Sequence, residues 1–336
     1  MPARPDNPTI DTEKRATLFV TTLTSFMGPF MISSVNIALP DIQKAFSVHA
    51  VLLAWIATAY LLTIAAALVP AGRIADIHGR RRLFSCGLGL LAIASALAAA
   101  SSSVEMLIAT RVLQGLGAAM VVTTGMPILI SVFPPEERGR AIGIYVAAVY
   151  IGLSVGPPVG GLLTAHLSWR WIFILVIPLN LGALVVTRRH LPREWVDAPG
   201  EKLDVPGSFL YALALVLLVY GASRLPHVSG GLMAGGGILG LLLFVRRQLR
   251  IDHPVFEMRL FMSSRVFTFS SLAALIHYGA TFGVTFLLSL YLQYIHGLPP
   301  QGAGLVLMIQ PVVMALVSPL AGRLSDRIEP GWIATT

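Results

Sequence analysis

Ten apolar blocks divide this chain, at about 17–40, 51–71, 84–101, 106–133, 140–164, 170–187, 205–223, 229–245, 267–294 and 301–321. Each is long enough to cross ~30 Å of hydrocarbon at 1.5 Å per residue. No water reaches that depth, so every peptide group must find a partner inside the protein. Blocks of this length meet the demand as α-helices, and the chain reads as an all-α, polytopic membrane protein. Only 12% of the 336 residues are charged, about half the share of a soluble domain. The net charge of +8 lies in short connections between blocks, which argues against a nucleic-acid partner. The first 16 residues are polar and read as a short, disordered tail. The block after them is too long for a signal peptide and is read as a retained helix. The lone cysteine, Cys86, sits in an apolar block and is expected to be a small core residue.

The basic residues set the orientation. One set of connections holds Arg4, Lys14, Arg15, Arg73, Arg80, Arg81, Arg82, Arg138 and Arg140. The same set continues with Arg188, Arg189, Arg193, Lys202, Arg246, Arg247, Arg250, Arg259, Arg265, Arg323 and Arg327. The other set holds Lys44, Arg170 and Arg224. This is a strong positive-inside asymmetry, and it places the N-terminus in the cytoplasm.

A repeat is also legible. GRIAD at 72–76 recurs as GRLSD at 322–326, an offset of 250 residues. The same offset carries spans 1 and 2 onto spans 9 and 10. Parallel repeats of six-helix halves are one transporter architecture. The expected organisation is a tail (1–16), a six-helix bundle (17–190), a cytoplasmic linker (191–204) and an inserted helix pair (205–250). A second linker (251–266) and the first two helices of a second bundle (267–336) follow. On that plan a full second half would extend to about residue 437, so a fragment or a truncated gene is expected.

Three motifs stand out. The loop between spans 2 and 3 contains Gly72, Asp76, Gly79, Arg80 and Arg81, with Gly322, Asp326 and Arg327 as the repeated set. Span 4 reads RVLQGLGAAM. Arg111 is the one basic residue well inside a span, where a charge costs at least ~2.5 kcal/mol, so it should face a polar cavity or a partner. Snorkelling toward the outer end is the plainer alternative. Gln114 shares its face. Span 5 carries Gly143, Gly152, Gly156, Pro157, Gly160 and Gly161. Glycines four apart rotate only about 40° per step, so Gly152, Gly156 and Gly160 form one close-packing seam, with Gly143 about 180° away. Pro157 and Pro158 remove two helical N–H donors, so a kink is expected. A kinked packing helix with no special role is the plain reading of this span.

Together these stretches resemble the major facilitator superfamily. The 72–82 loop is similar to its loop 2–3 motif, except that Ile77 replaces a usual basic residue. The resemblance implies that Asp76 and Arg80 form a conformational latch, with a partner for Asp76 in the second half. R-x-x-Q-G-x-G-A-A resembles the span-4 motif, in which the arginine is implicated in proton coupling. The spacing from Gly143 to Gly161 resembles the antiporter pattern of drug/proton exporters. VNIALP at 35–40 and the spare helices 7 and 8 resemble the fourteen-helix, multidrug-export branch. That branch usually has an aspartate where this chain has Met31. Candidate proton acceptors are therefore Asp41, Glu105, His277 or residues beyond this sequence.

The resemblance implies proton-coupled export of amphipathic or hydrophobic small molecules by alternating access, in the bacterial inner membrane. A metabolite exporter or importer of the same fold is one alternative, and a non-transporting membrane protein or sensor is another. Nothing in the residues points to an enzyme, a cofactor or a metal site, and no P-loop supports ATP-driven export. Protons, a small molecule and lipid are the expected partners, and accessory proteins stay unassigned.

Overall fold

A computed structural model describes residues 8–297 and 305–325 of the chain. The helices given by the described residues are α1 (Pro8–Phe46), α2 (Ala50–His78), α3 (Arg80–Ala99), α4 (Val104–Val132), α5 (Pro135–His166), α6 (Arg170–His190), α7 (Val205–Ser223), α8 (Val228–Gln248), α9 (Arg259–Ser263), α10 (Arg265–Leu290) and α11 (Ile309–Ser325). A short π-helical turn, Tyr291–Ile295, extends α10. Nine segments among the described residues are long and apolar enough to cross a membrane, and the 26-residue α10 fills the remaining expected span. Asp326 and Arg327 lie outside the described residues.

Local chemistry sets the helix ends. Ser103 Oγ accepts from the Met106 amide at 3.2 Å and opens α4. Asp204 Oδ1 accepts from the Gly207 amide at 3.0 Å and opens α7. Gly79 stands alone between α2 and α3 with φ at 110°, a conformation that suits glycine. Two expectations need correction here. The segment from Pro8 to Ala16 is not a disordered tail: it continues α1 as helix, with Lys14 Nζ 2.9 Å from Glu137 of α5. Cys86 is not in the core, because it is exposed on the outer surface of α3.

The first six helices form one bundle. α1 packs on α5, α6 and α4; α4 also packs on α2 and α3. Its core joins Phe30, Met31 and Val35 of α1 to Ile56, Leu107, Trp169 and Phe173. Met31 is thus an apolar core residue where the related branch has its aspartate. Glycines let the backbones approach. A Cβ on Gly115 would lie 2.8 Å from the Tyr60 carbonyl of α2, and one on Gly117 would lie 3.0 Å from the Gly87 carbonyl of α3.

α5 shows the same principle on two faces. Gly152, Gly156 and Gly160 press on α1, where added Cβ atoms would meet the Phe26 carbonyl, Ser33 and, at 2.8 Å, Ser34 Cα. Ser34 Oγ donates to the Gly156 carbonyl at 2.9 Å, and Ser25 Oγ donates to the Tyr145 carbonyl at 3.0 Å. Gly143 faces away from α1, toward α11. A Cβ there would stand 2.7 Å from the Ser318 carbonyl, and one on Gly322 would meet the Gly139 carbonyl. The helix continues through Pro157 and Pro158 without a break.

α7 and α8 form a hairpin that docks on α2 through α7. Tyr211 Oη donates to the Ala65 carbonyl at 3.2 Å, and the Trp55 and Tyr220 rings lie 5.5 Å apart. Asp204 joins the two ends of the hairpin. It accepts from Arg247 at 2.7 Å and from Gln248 at 3.0 Å, and Gln248 in turn accepts from the Val255 amide at 2.6 Å. Burial pushes the Asp204 carboxyl up, but these hydrogen bonds and the Arg247 charge outweigh it, so it sits below the ordinary aspartate value. A lowered carboxyl stabilises fully above the ordinary range, and this is lost as pH falls through the lowered value.

The glycine seam gives a direct test. Gly152→Ala and Gly160→Ala force a Cβ into backbone and should each cost about 1–3 kcal/mol. Gly161→Ala meets only Ile37 Cγ2, at an ordinary 3.8 Å, and should be near neutral. Thermal unfolding in detergent should show a lower midpoint for the first two variants alone.

Candidate functional site

Arg111 is 1% exposed. Its Nε donates to the Ile56 carbonyl of α2 at 3.0 Å, and one terminal nitrogen donates to Gln114 Oε1 at 2.9 Å. Gln114 passes the network on, donating from Nε2 to Ser95 Oγ of α3 at 2.9 Å. The guanidinium carbon also stands 4.0 Å from the centre of the Tyr60 ring. A carbonyl, an amide and an aromatic face therefore share one cation. Among the described residues no carboxylate pairs with it, and the side chain is buried rather than snorkelling outward.

This geometry limits the chemistry. A guanidinium stays protonated under ordinary conditions, so Arg111 supplies fixed positive charge rather than a transferable proton. It can hold an anion or favour the ionised form of a nearby acid. The candidate acceptors do not gather around it. Asp41 is exposed and stands 3.5 Å from Lys44. Glu105 is exposed in the first turn of α4, and His277 is exposed on α10 with its ring against Tyr278.

The loop carrying Asp76 and Arg80 forms a second cluster. Ile56 and Asp76 are 20 residues apart on α2, or about 30 Å, so the structure does not bring the two motifs together. Asp76 accepts from Arg80 at 3.2 Å. The linker after α6 covers the loop, which the sequence reading missed. The Asp76 carbonyl accepts from the Asp197 and Ala198 amides at 3.0 and 2.9 Å. Asp197 also pairs with Arg80, and Glu201 pairs with Arg73. Among the described residues Asp76 thus meets Arg80 through its carboxylate and the linker through its carbonyl, and the second-half helix expected to partner it is not among them.

The same linker caps α3. A helix N-terminus leaves its first four amides without partners in the helix. Here the Arg80 amide donates to the Trp195 carbonyl at 3.0 Å, and Arg81 donates to Glu194 Oε1 at 2.8 Å. The Arg82 amide reaches the same oxygen at 3.4 Å, and the helix's own bonding begins at Leu83, which donates to the Gly79 carbonyl at 3.2 Å. Glu194, Asp197 and Glu201, with Asp204 at the linker's end, are the available signal: four acids in one linker on a side otherwise dominated by arginine. Gly72 is uncrowded, with Thr123 Cγ2 4.0 Å from an added Cβ. The third group, the glycines of α5, forms the two seams described above, with Gly322 across from Gly143.

Comparison with known proteins gives one class. Residues 20–336 match the Major Facilitator Superfamily. The chain is 32% identical over 318 residues to the riboflavin transporter RibZ of Clostridioides difficile, covering 94% of this chain and 69% of that protein. It is 32% identical over 323 residues to the multidrug resistance protein Stp of Mycobacterium tuberculosis, covering 93% of this chain and 60% of that protein. The methyl viologen resistance protein SmvA of Salmonella typhimurium is also 32% identical, over 89% of this chain and 61% of that protein. The chain thus spans roughly two thirds or less of these relatives. The proton:xylose symporter XylE shares the fold at TM-score 0.64 and 14% identity, over 95% of this chain and 70% of that one.

Glu194 offers a local test. Glu194→Ala removes the acceptor at the start of α3 and should cost about 1 kcal/mol. Amide exchange at Arg81 should quicken about fivefold, while Glu194→Gln, which keeps an acceptor oxygen, should lie between the two. Hydrogen-exchange mass spectrometry over residues 80–84 reads the difference.

Proposed function

The chain belongs to the major facilitator superfamily, and on that premise we propose that it acts in proton-driven export of amphipathic or hydrophobic small molecules. The observation that carries this reading is α5. Its glycine pattern resembles that of antiporters, and its two glycine faces meet different partners: α1 of its own bundle and α11 of the repeat. A helix seated between two halves is well placed to take part in their relative movement. The resistance proteins among the relatives support the substrate class.

In this reading the two halves rock about a midplane site, and the 72–82 loop with its linker cap latches one of the end states. Arg111 tunes proton binding through its fixed charge. It does so without moving a proton itself, which leaves the acceptor to another group. The asymmetry of the basic connections supports a cytoplasmic N-terminus and a cytoplasmic capped loop at the inner membrane.

A second reading, a metabolite exporter, has one observation in its favour: the riboflavin transporter among the relatives matches this chain at the same identity as the resistance proteins.

Everted membrane vesicles from cells making the protein test both readings, with methyl viologen and riboflavin as probes. An imposed pH gradient should drive uptake of at least one probe. Arg111→Ala should remove the gradient-dependent part, and Arg111→Lys should not restore it, because an ammonium lacks the planar fork that spans Ile56 and Gln114. Uptake that ignores the gradient in the parent protein would overturn proton coupling. Equal probe accumulation with and without the protein would overturn export.

A further inference from the structure

The C-terminal end of α8 and the turn after it carry three arginines, Arg246, Arg247 and Arg250, that are not equivalent. Arg247 is committed to Asp204, with contacts of 2.7 to 3.2 Å. Arg246 and Arg250 are exposed, and among the described residues neither pairs with a carboxylate. Arg246 lies in the last turn of α8 and Arg250 in the turn that follows it, and both border one cavity. An open cavity of about 270 Å³ lies here, lined by Leu243, Arg246, Arg247, Arg250 and Ile251.

The surface beside this cavity is apolar. Leu239, Leu242 and Leu243 precede Arg246 by seven, four and three residues, which puts them on the same side of the helix. They are 58%, 63% and 48% exposed. Among the described elements α8 packs against α7 alone, which leaves this outer face uncovered. A helix of 21 residues spans about 30 Å, which sets the arginines at the headgroup level and the leucines at the level of the acyl chains.

We propose that this end of α8 is a binding site for an anionic phospholipid, whose phosphate Arg246 and Arg250 hold while its acyl chains lie along the leucines. Arginine suits the task because its fork matches phosphate oxygens. Asp204 contributes indirectly: by fixing Arg247 it positions the helix end and leaves the flanking arginines to the ligand. Three acids of the linker after α6 are engaged elsewhere. Glu194 is taken by Arg82 and the α3 amides, Asp197 by Arg80, and Glu201 by Arg73 and His253. The inference does not depend on what the protein transports.

Native mass spectrometry of the purified protein in detergent tests it, with phosphatidylglycerol, phosphatidylcholine and inorganic phosphate as probes. The parent protein should bind phosphatidylglycerol well ahead of phosphatidylcholine. Arg246→Gln with Arg250→Gln should weaken that binding about 30-fold, from about fivefold for each basic side chain. Arg188→Gln with Arg189→Gln removes two exposed charges from the same side of the membrane and should have a much smaller effect. The unfolding temperature in phosphatidylcholine-containing detergent should be the same for all three proteins, which separates lost binding from lost fold. An equal effect of both double variants would reduce the site to diffuse electrostatics and overturn the proposal. Displacement of the lipid by millimolar phosphate would make this a free-anion site and overturn the lipid assignment. Dimers in place of lipid adducts would assign the face to a second copy of the chain.

Discussion

Hydrocarbon gives two helices no reason to associate, because lipid tails are as apolar as leucine. Every helix contact in this protein has to answer that constraint. The answer repeats along the chain: small residues bring backbones together, and a few hydroxyls donate to carbonyls across the joint. Gly115 fits against α2, Gly117 against Gly87, and Gly152 to Gly160 against α1. Many leucines and valines face outward, where soluble proteins would bury them, so the exposed apolar surface is the solvent-facing side of a protein whose solvent is lipid.

Charge follows a second economy. Outside the bundle, arginines on the basic side find acids in the linker after α6, and those acids also complete the amides that open α3. Inside the bundle, Arg111 has no such acid. It is satisfied by a carbonyl, by Gln114 and by the face of Tyr60, a set that compensates a charge without neutralising it. The result is a preserved positive field within three tightly joined helices. The same residues that fix the packing of α2, α3 and α4 therefore also fix where that field originates.

Much of this was legible in the chain itself. Block lengths located the spans, and helical geometry separated Gly143 from the Gly152 face. Other features were not. Tyr60 and Ser95 reach Arg111 and Gln114 from other helices, and no local pattern marks such a meeting. Cys86 sits in an apolar block, but in a bilayer an apolar block has a lipid face as well as a core face. The helical start of α1 was hidden because its polar composition reads as a tail until Lys14 is seen beside Glu137. The linker cap was missed because a linker was read as a spacer, although its acids were in view.

The joint between α5 and α11 has a property that follows from its composition. Gly139, Gly143 and Gly322 meet there largely as bare backbone. Glycine has no rotamers, so at these positions parting the joint frees none and closing it again freezes none. Such a contact resists shear through the close fit of its backbones. At these glycines the work of separation scales with the area of backbone uncovered, and a single added methyl would change both the closed distance and the ease of release.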